Sequence, residues 1–143
     1  MPITQAMATS FKVQLLNGQQ NFSANTFKLA LYTSSATINE NTTAYSATNE
    51  VPSTGNYSAG GNTLSVSVTP TNSGNVAFIS FANTSWANST ITAAGALIYN
   101  NTNANAAVCV LSFGGDKTST NGTFAINFPT ADATNAIIRL TAS

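Results

Sequence analysis

A chain of 143 residues and 14.7 kDa has the size of one ordinary domain. Area scaling gives it roughly 7,000 Å² of folded surface against about 21,000 Å² unfolded, enough burial to need no metal or disulfide staple. Only 6% of the residues are charged: Lys12, Lys28, Lys117 and Arg139 against Glu40, Glu50, Asp116 and Asp132, net zero. That balance excludes the basic footprint of a nucleic-acid binder and the cationic face of a membrane-surface protein.

Threonine (22), asparagine (19) and serine (16) replace the missing charge. Thr suits pleated strands and Asn and Ser suit turns, so the composition points to an all-β chain with many loops. A neutral polar surface is solvated but repels its own copies weakly, which favours a permanent assembly over a freely diffusing monomer.

The first segment carries the one helical signal. Met7, Phe11 and Leu15 recur every four residues, Ala8 and Leu16 widen the stripe, and Gly18 follows as a stop. The spacing predicts a helix over roughly 5–17, with 7–17 as its body and residues 1–6 as an N-terminal arm. FKLALYT (27–33) reads as a strand with Phe27, Leu29 and Leu31 on one face and Lys28 and Tyr32 on the other. The polar stretch from Ser34 to Asn62 is too long for a structureless connection, so a helical turn near 42–48 or a functional loop is expected. LSVSV (64–68) alternates, with Leu64, Val66 and Val68 inward, and Pro70, Asn72 and Gly74 turn the chain into NVAFISFAN (75–83). GALIYN (95–100), AAVCVLSF (106–113), GTFAINF (122–128) and AIIRLT (136–141) complete seven strands. Val108 and Val110, then Phe124, Ile126 and Phe128, are their expected inward faces. NTNAN (101–105) and GGDKTSTNG (114–122) read as hairpin connections. The pattern predicts a single domain over 1–143: an antiparallel β-sandwich, jelly-roll-like or a flattened barrel, with one short N-terminal helix.

Catalytic chemistry finds little material. Without histidine there is no Ser-His-Asp constellation and no common general base. The four acids stand in loop-like surroundings rather than as a glycosidase pair, and Asp116 suits a turn or a pairing with Lys117. No calcium-loop or Walker spacing occurs around SAGGN (58–62) or FGGDK (113–117), so no metal and no cofactor are expected. Trp86 with Tyr32, Tyr45, Tyr57 and Tyr99 offers a sugar-stacking platform, but a single tryptophan beside a strand reads better as packing. Cys109, the one cysteine, sits in an apolar run as a small buried hydrophobe. No signal peptide or membrane span is read, so the seven Asn-x-Ser/Thr triplets reflect composition.

Three stretches form a familiar series: NFSANTFKLALYTSSA (21–36), NEVPSTGNYSAGGNTLS (49–65), and SWANSTITAAGALIYNN (85–101) with VLSFGGDKTSTNGTFAINFP (110–129). In this order they resemble a family of small virion proteins of tailed bacteriophages, over most of the chain from about Phe11 to Arg139. The resemblance implies a structural part of the phage particle located in the virion. It points to a capsid decoration or cement protein bound to the major capsid protein, with a tail or fibre component as the alternative. It carries over no catalytic or ligand residue. Self-association is expected because the strands carry few edge-blunting charges, and a trimer because of the threefold positions common in head lattices. Met1, Pro2, Ile3, Thr4 and Gln5 are the expected interface, as an arm reaching a neighbouring subunit.

Overall fold

The computed structural model describes residues 3–141. In chain order the elements are β1 (Ala6–Met7), α1 (Thr9–Leu16), β2 (Phe27–Tyr32), β3 (Asn62–Leu64), β4 (Val66–Ser73), β5 (Val76–Phe81), β6 (Thr84–Asn100), β7 (Ala106–Ile126) and β8 (Ile138–Thr141). They form an all-β antiparallel sandwich of two open sheets, five strands in the order β1-β7-β6-β2-β3 and three in the order β4-β5-β8. The sheets do not close into a barrel, and eight strands replace the expected seven. The accessible surface of 7051 Å² matches what a compact monomer of this mass exposes.

Between the sheets lies an aromatic core. Phe22 stacks on Phe27 with ring centroids 4.6 Å apart, and Phe11 and Phe81 meet Phe22 edge-on at 5.9 and 6.1 Å. Every expected inward residue of β2 and β7 is buried, while Val66, Val68 and Phe128 are half-buried. The other face of β2 is closed as well: Ala30 and Tyr32 are buried, because the 34–61 segment covers it.

The helix is shorter than its apolar spacing predicts. Ala8 donates its N–H to Val108 O at 2.9 Å, and Met7 pairs with Cys109, so the first residues of the stripe extend the sheet instead. Phe11 is buried, but Leu16 is 90% exposed. Five residues beyond Phe11 it has turned about 140° away from the core, at about 100° per residue. The stop signal holds. Gly18 adopts φ +73°, and the Gly18 and Gln19 amides bond back to Leu15 O and Gln14 O in a Schellman motif.

Three further expectations are corrected. The alternating LSVSV run breaks at Ser65, which passes the chain from β3 in one sheet to β4 in the other. No helical turn forms near 42–48. Those backbone groups bond instead across the β6–β7 turn, Tyr45 N–H to Asn105 O at 2.9 Å and Ala107 N–H to Thr43 O at 2.9 Å. GGDKTSTNG is no loop. It lies within β7, whose partner β6 begins at Thr84, well before GALIYN. Four residues, Phe113–Asp116, bulge opposite Ala94 between the Ala93–Lys117 and Gly95–Ser112 pairs, with Gly114 at φ +77°. Two further irregularities flank the Ser89–Gly122 pair, one with Asn88 at φ +50° and the other with Asn121 at φ +47°. Glycine and asparagine serve bulges for the same reason that they serve turns, since both need positive φ.

These bulges also protect edges. Pro70 and two register shifts interrupt β4, and four register shifts interrupt the pairing of β7 with β6. Beyond β3, the edge of β2 is filled by residues 49–51: Val51 N–H donates to Leu31 O at 2.9 Å and Thr33 N–H to Asn49 O at 3.0 Å. Blunting here is geometric rather than electrostatic, so scarcity of charge does not by itself leave an open edge.

Candidate functional site

The densest polar cluster gathers around Glu50, only 8% exposed under the five-stranded sheet. Tyr45 Oη donates to Glu50 Oε1 at 2.6 Å, while Tyr57 Oη at 2.6 Å and the Gly60 N–H at 2.7 Å donate to Oε2. Tyr57 Oη in turn accepts the Leu31 N–H at 2.9 Å, satisfying the one amide of the β2 edge that lies between β3 and residues 49–51. Tyr99 Oη donates to Gly60 O at 2.7 Å and Tyr32 Oη to Ser46 O at 2.6 Å. Gly60 and Gly61, at φ +96° and +77°, bend the chain so that the Gly60 amide points at the carboxylate; a Cβ on Gly61 would overlap the Leu29 carbonyl. Burial first, and then the Glu50 charge, push the Tyr99 phenol up to about 12; the Tyr32, Tyr45 and Tyr57 phenols are raised further, again chiefly by burial.

Three donors thus fill both acceptor sites of Oε2 and one of Oε1, and all three come from residues 45–60 of the same segment. The other acids do not join it: Glu40 and Asp116 are exposed, and Asp132 accepts the Thr134 and Asn135 amides at 2.9 and 2.7 Å. Those bonds, with the Asn135 side-chain amide as the largest influence, hold the Asp132 carboxyl below its ordinary value. Among the described residues no three His, Cys, Asp or Glu side chains come together as a metal site.

The aromatic platform does not form on the surface. Trp86 is 2% exposed, packed 5.4 Å from Tyr57 and 6.3 Å from Phe124, and Tyr32, Tyr57 and Tyr99 are buried. Cys109 is buried, and burial pushes its thiol up to about 12.

Part of the expected N-terminal arm can be followed. Met1 and Pro2 lie outside the described residues. Ile3 is buried above Gly95, Thr4 N–H bonds Ile38 O at 3.0 Å, and Gln5 Oε1 accepts the Ser112 N–H at 3.1 Å, so residues 3–5 dock on their own subunit. What the surface offers instead is apolar. A groove of about 350 Å³ runs between the end of α1 and the three-stranded sheet, lined by Leu15, Phe22, Pro70, Phe78, Ile138 and Leu140. Val13, Leu16 and Leu140 are the exposed large hydrophobic side chains among the described residues.

Two organising residues carry no sequence motif. Glu50 stands in a polar stretch, and only its flanking tyrosines five and seven residues away hint at a role. Asn100, fully buried, donates to Gln20 and Asn25 and accepts the Thr102 and Asn103 amides, shaping the β6–β7 turn. In comparisons with known protein families, curated proteins and solved structures, the chain matches none.

Proposed function

We propose that the chain is a structural component of a bacteriophage particle, a capsid decoration or cement protein that binds the head lattice as an oligomer and performs no catalysis. The resemblance of its 21–36, 49–65, 85–101 and 110–129 runs to phage virion proteins supplies the family reading. The observation that carries a binding role is the exposed apolar groove beside α1, on a surface with almost no charge. The one buried acid among the described residues, Glu50, accepts three hydrogen bonds from its own segment and serves the fold. Apolar burial and backbone hydrogen bonds then supply the binding free energy, so attachment depends weakly on salt. A trimer would suit the threefold positions of head lattices, with Leu16 and Leu140 at the contact.

The test is the protein composition of purified particles. A copy number comparable to the major head protein, with attachment surviving moderate NaCl and weakened by Leu140→Ser in the groove, is the expected result. Absence from the particle, or release by salt alone, refutes the reading. A few copies per particle would point to a tail or fibre position instead.

A further inference from the structure

An asparagine followed by glycine is open to attack on its side-chain amide by the next main-chain nitrogen, because no Cβ shields that nitrogen. The chain holds two such steps, Asn17–Gly18 and Asn121–Gly122. Both asparagines are exposed, but the fold holds them differently. Asn17 closes the C-terminus of α1, Gly18 beyond it is exposed, and nothing lies within 4 Å of where a Gly18 Cβ would stand. Asn121 lies inside β7, where Gly122 pairs with the buried Ser89 and Thr90 Oγ1 accepts the Asn121 N–H at 3.0 Å. We propose that Asn17 is a deamidation site: its side-chain amide is lost through a cyclic imide with the Gly18 nitrogen, leaving a carboxylate at the rim of the apolar groove beside α1.

The reaction needs only water. Gly18 N gives its proton to hydroxide and bonds to Asn17 Cγ, the Cγ–Nδ2 bond breaks, and ammonia leaves. Water then opens the imide. Attack at Cγ gives aspartate, while attack at the main-chain carbonyl leaves Gly18 joined through Cγ, with the backbone one carbon longer. The nitrogen reaches Cγ only from the Cβ side, and ψ of −2° at Asn17 holds it away, so the last turn has to open first. That opening breaks two backbone bonds, Gly18 N–H to Leu15 O at 3.2 Å and Gln19 N–H to Gln14 O at 2.8 Å. It uncovers no core, since Leu16, Asn17 and Gly18 are all exposed, and Gly18 without a Cβ absorbs the rotation. The same rotation at Asn121 would part β6 from β7 beside Ser89 and Ile91, both 1% exposed. The product sets a negative charge at the negative end of the helix dipole, and its longer form misplaces the amides that close α1. Leu15 and Gly18 line the groove, so one wall loosens and an uncharged lining gains a charge. The site itself does not depend on the virion reading.

Peptide mass mapping of the purified full chain tests it, with a folded and a urea-unfolded sample aged side by side at neutral and at mildly alkaline pH. In urea both asparagines should convert at similar rates, faster at the higher pH, as attack by a deprotonated amide requires. In the folded chain Asn17 should stay within about tenfold of its unfolded rate, while Asn121 slows by more than about 100-fold. The peptide carrying Asn17 should gain the mass of an amide exchanged for an acid and accept a methyl group from an isoaspartyl methyltransferase. In Asn17→Gln the same peptide should stay unchanged over the same interval. Slowing of Asn17 by more than about tenfold on folding overturns the site, and so does Asn121 converting as fast as Asn17 in the folded chain.

Discussion

Gly95 offers a sharp test of the packing, because it joins three elements at one point. It lies on β6 opposite Tyr32 on β2 and Ser112 on β7, with Ile3 from the N-terminal segment resting above it. A Cβ at this position would stand 2.6 Å from the Leu111 carbonyl oxygen, 2.8 Å from Ile3 Cγ2 and 3.1 Å from Ile3 Cδ1. Overpacking of this kind costs about 1–3 kcal/mol. A clash with a ladder carbonyl belongs at the upper end, since the carbonyl cannot swing away as a side chain does. Gly→Ala returns about 0.4–1 kcal/mol by stiffening the unfolded chain. Gly95→Ala should therefore destabilise the fold by about 2 kcal/mol, a fall in Tm of roughly 7 °C for a domain of this size. Urea unfolding followed by Trp86 fluorescence reads the loss directly. Adding Ile3→Ala separates the two clashes: relief of Ile3 crowding appears as a favourable coupling of about 1 kcal/mol, whereas the carbonyl clash persists. A Gly95→Ala protein within about 0.5 kcal/mol of the native chain would refute both the β6–β7 register at the bulge and the docking of Ile3.

Other expectations follow from the same structure. Gly61→Ala, at φ +77° with its Cβ aimed at the Leu29 carbonyl, should detach β3 from β2 and expose the 52–64 region to limited proteolysis; an uncleaved, fully stable variant contradicts that pairing. Phe124→Ala removes a 6%-exposed ring that meets Trp86 and Phe113, and should cost about 3–5 kcal/mol in chemical denaturation; a loss below about 1 kcal/mol would place Phe124 outside the core. Alkali should destabilise the fold through buried acids held neutral. Cys109 rises from 9.0 to about 12 and Tyr99 from 10.0 to about 12, so their contribution is complete below about pH 9 and lost as pH climbs toward 12. A urea midpoint unchanged between about pH 8 and about pH 11 would contradict this, as would rapid labelling of Cys109 in the native chain.

The class of fold and most of the strand cores are legible in the amino-acid pattern alone. Period-two alternation puts Leu29, Leu31, Val108, Val110, Phe124 and Ile126 on buried faces, and positive-φ residues announce that the backbone must bend near Gly18, Gly74 and Asn121. Those signals are local, and local chemistry suffices to read them. Whether a bend is a turn or a bulge is decided by the partner strand, which is why GGDKTSTNG disappears into β7 and why Ser65 carries one alternating run into two sheets. Met7 leaves the helix for the same reason, because Cys109, more than a hundred residues away in the chain, supplies a ladder position for it. The Glu50 cluster is the extreme case. Its donors come from Tyr45, Tyr57 and Gly60, and the Leu31 amide completes it from another element, so no spacing rule in the sequence marks it. Only the folding of the 34–61 segment onto β2 brings those groups within hydrogen-bond distance, and burial then makes each of them matter.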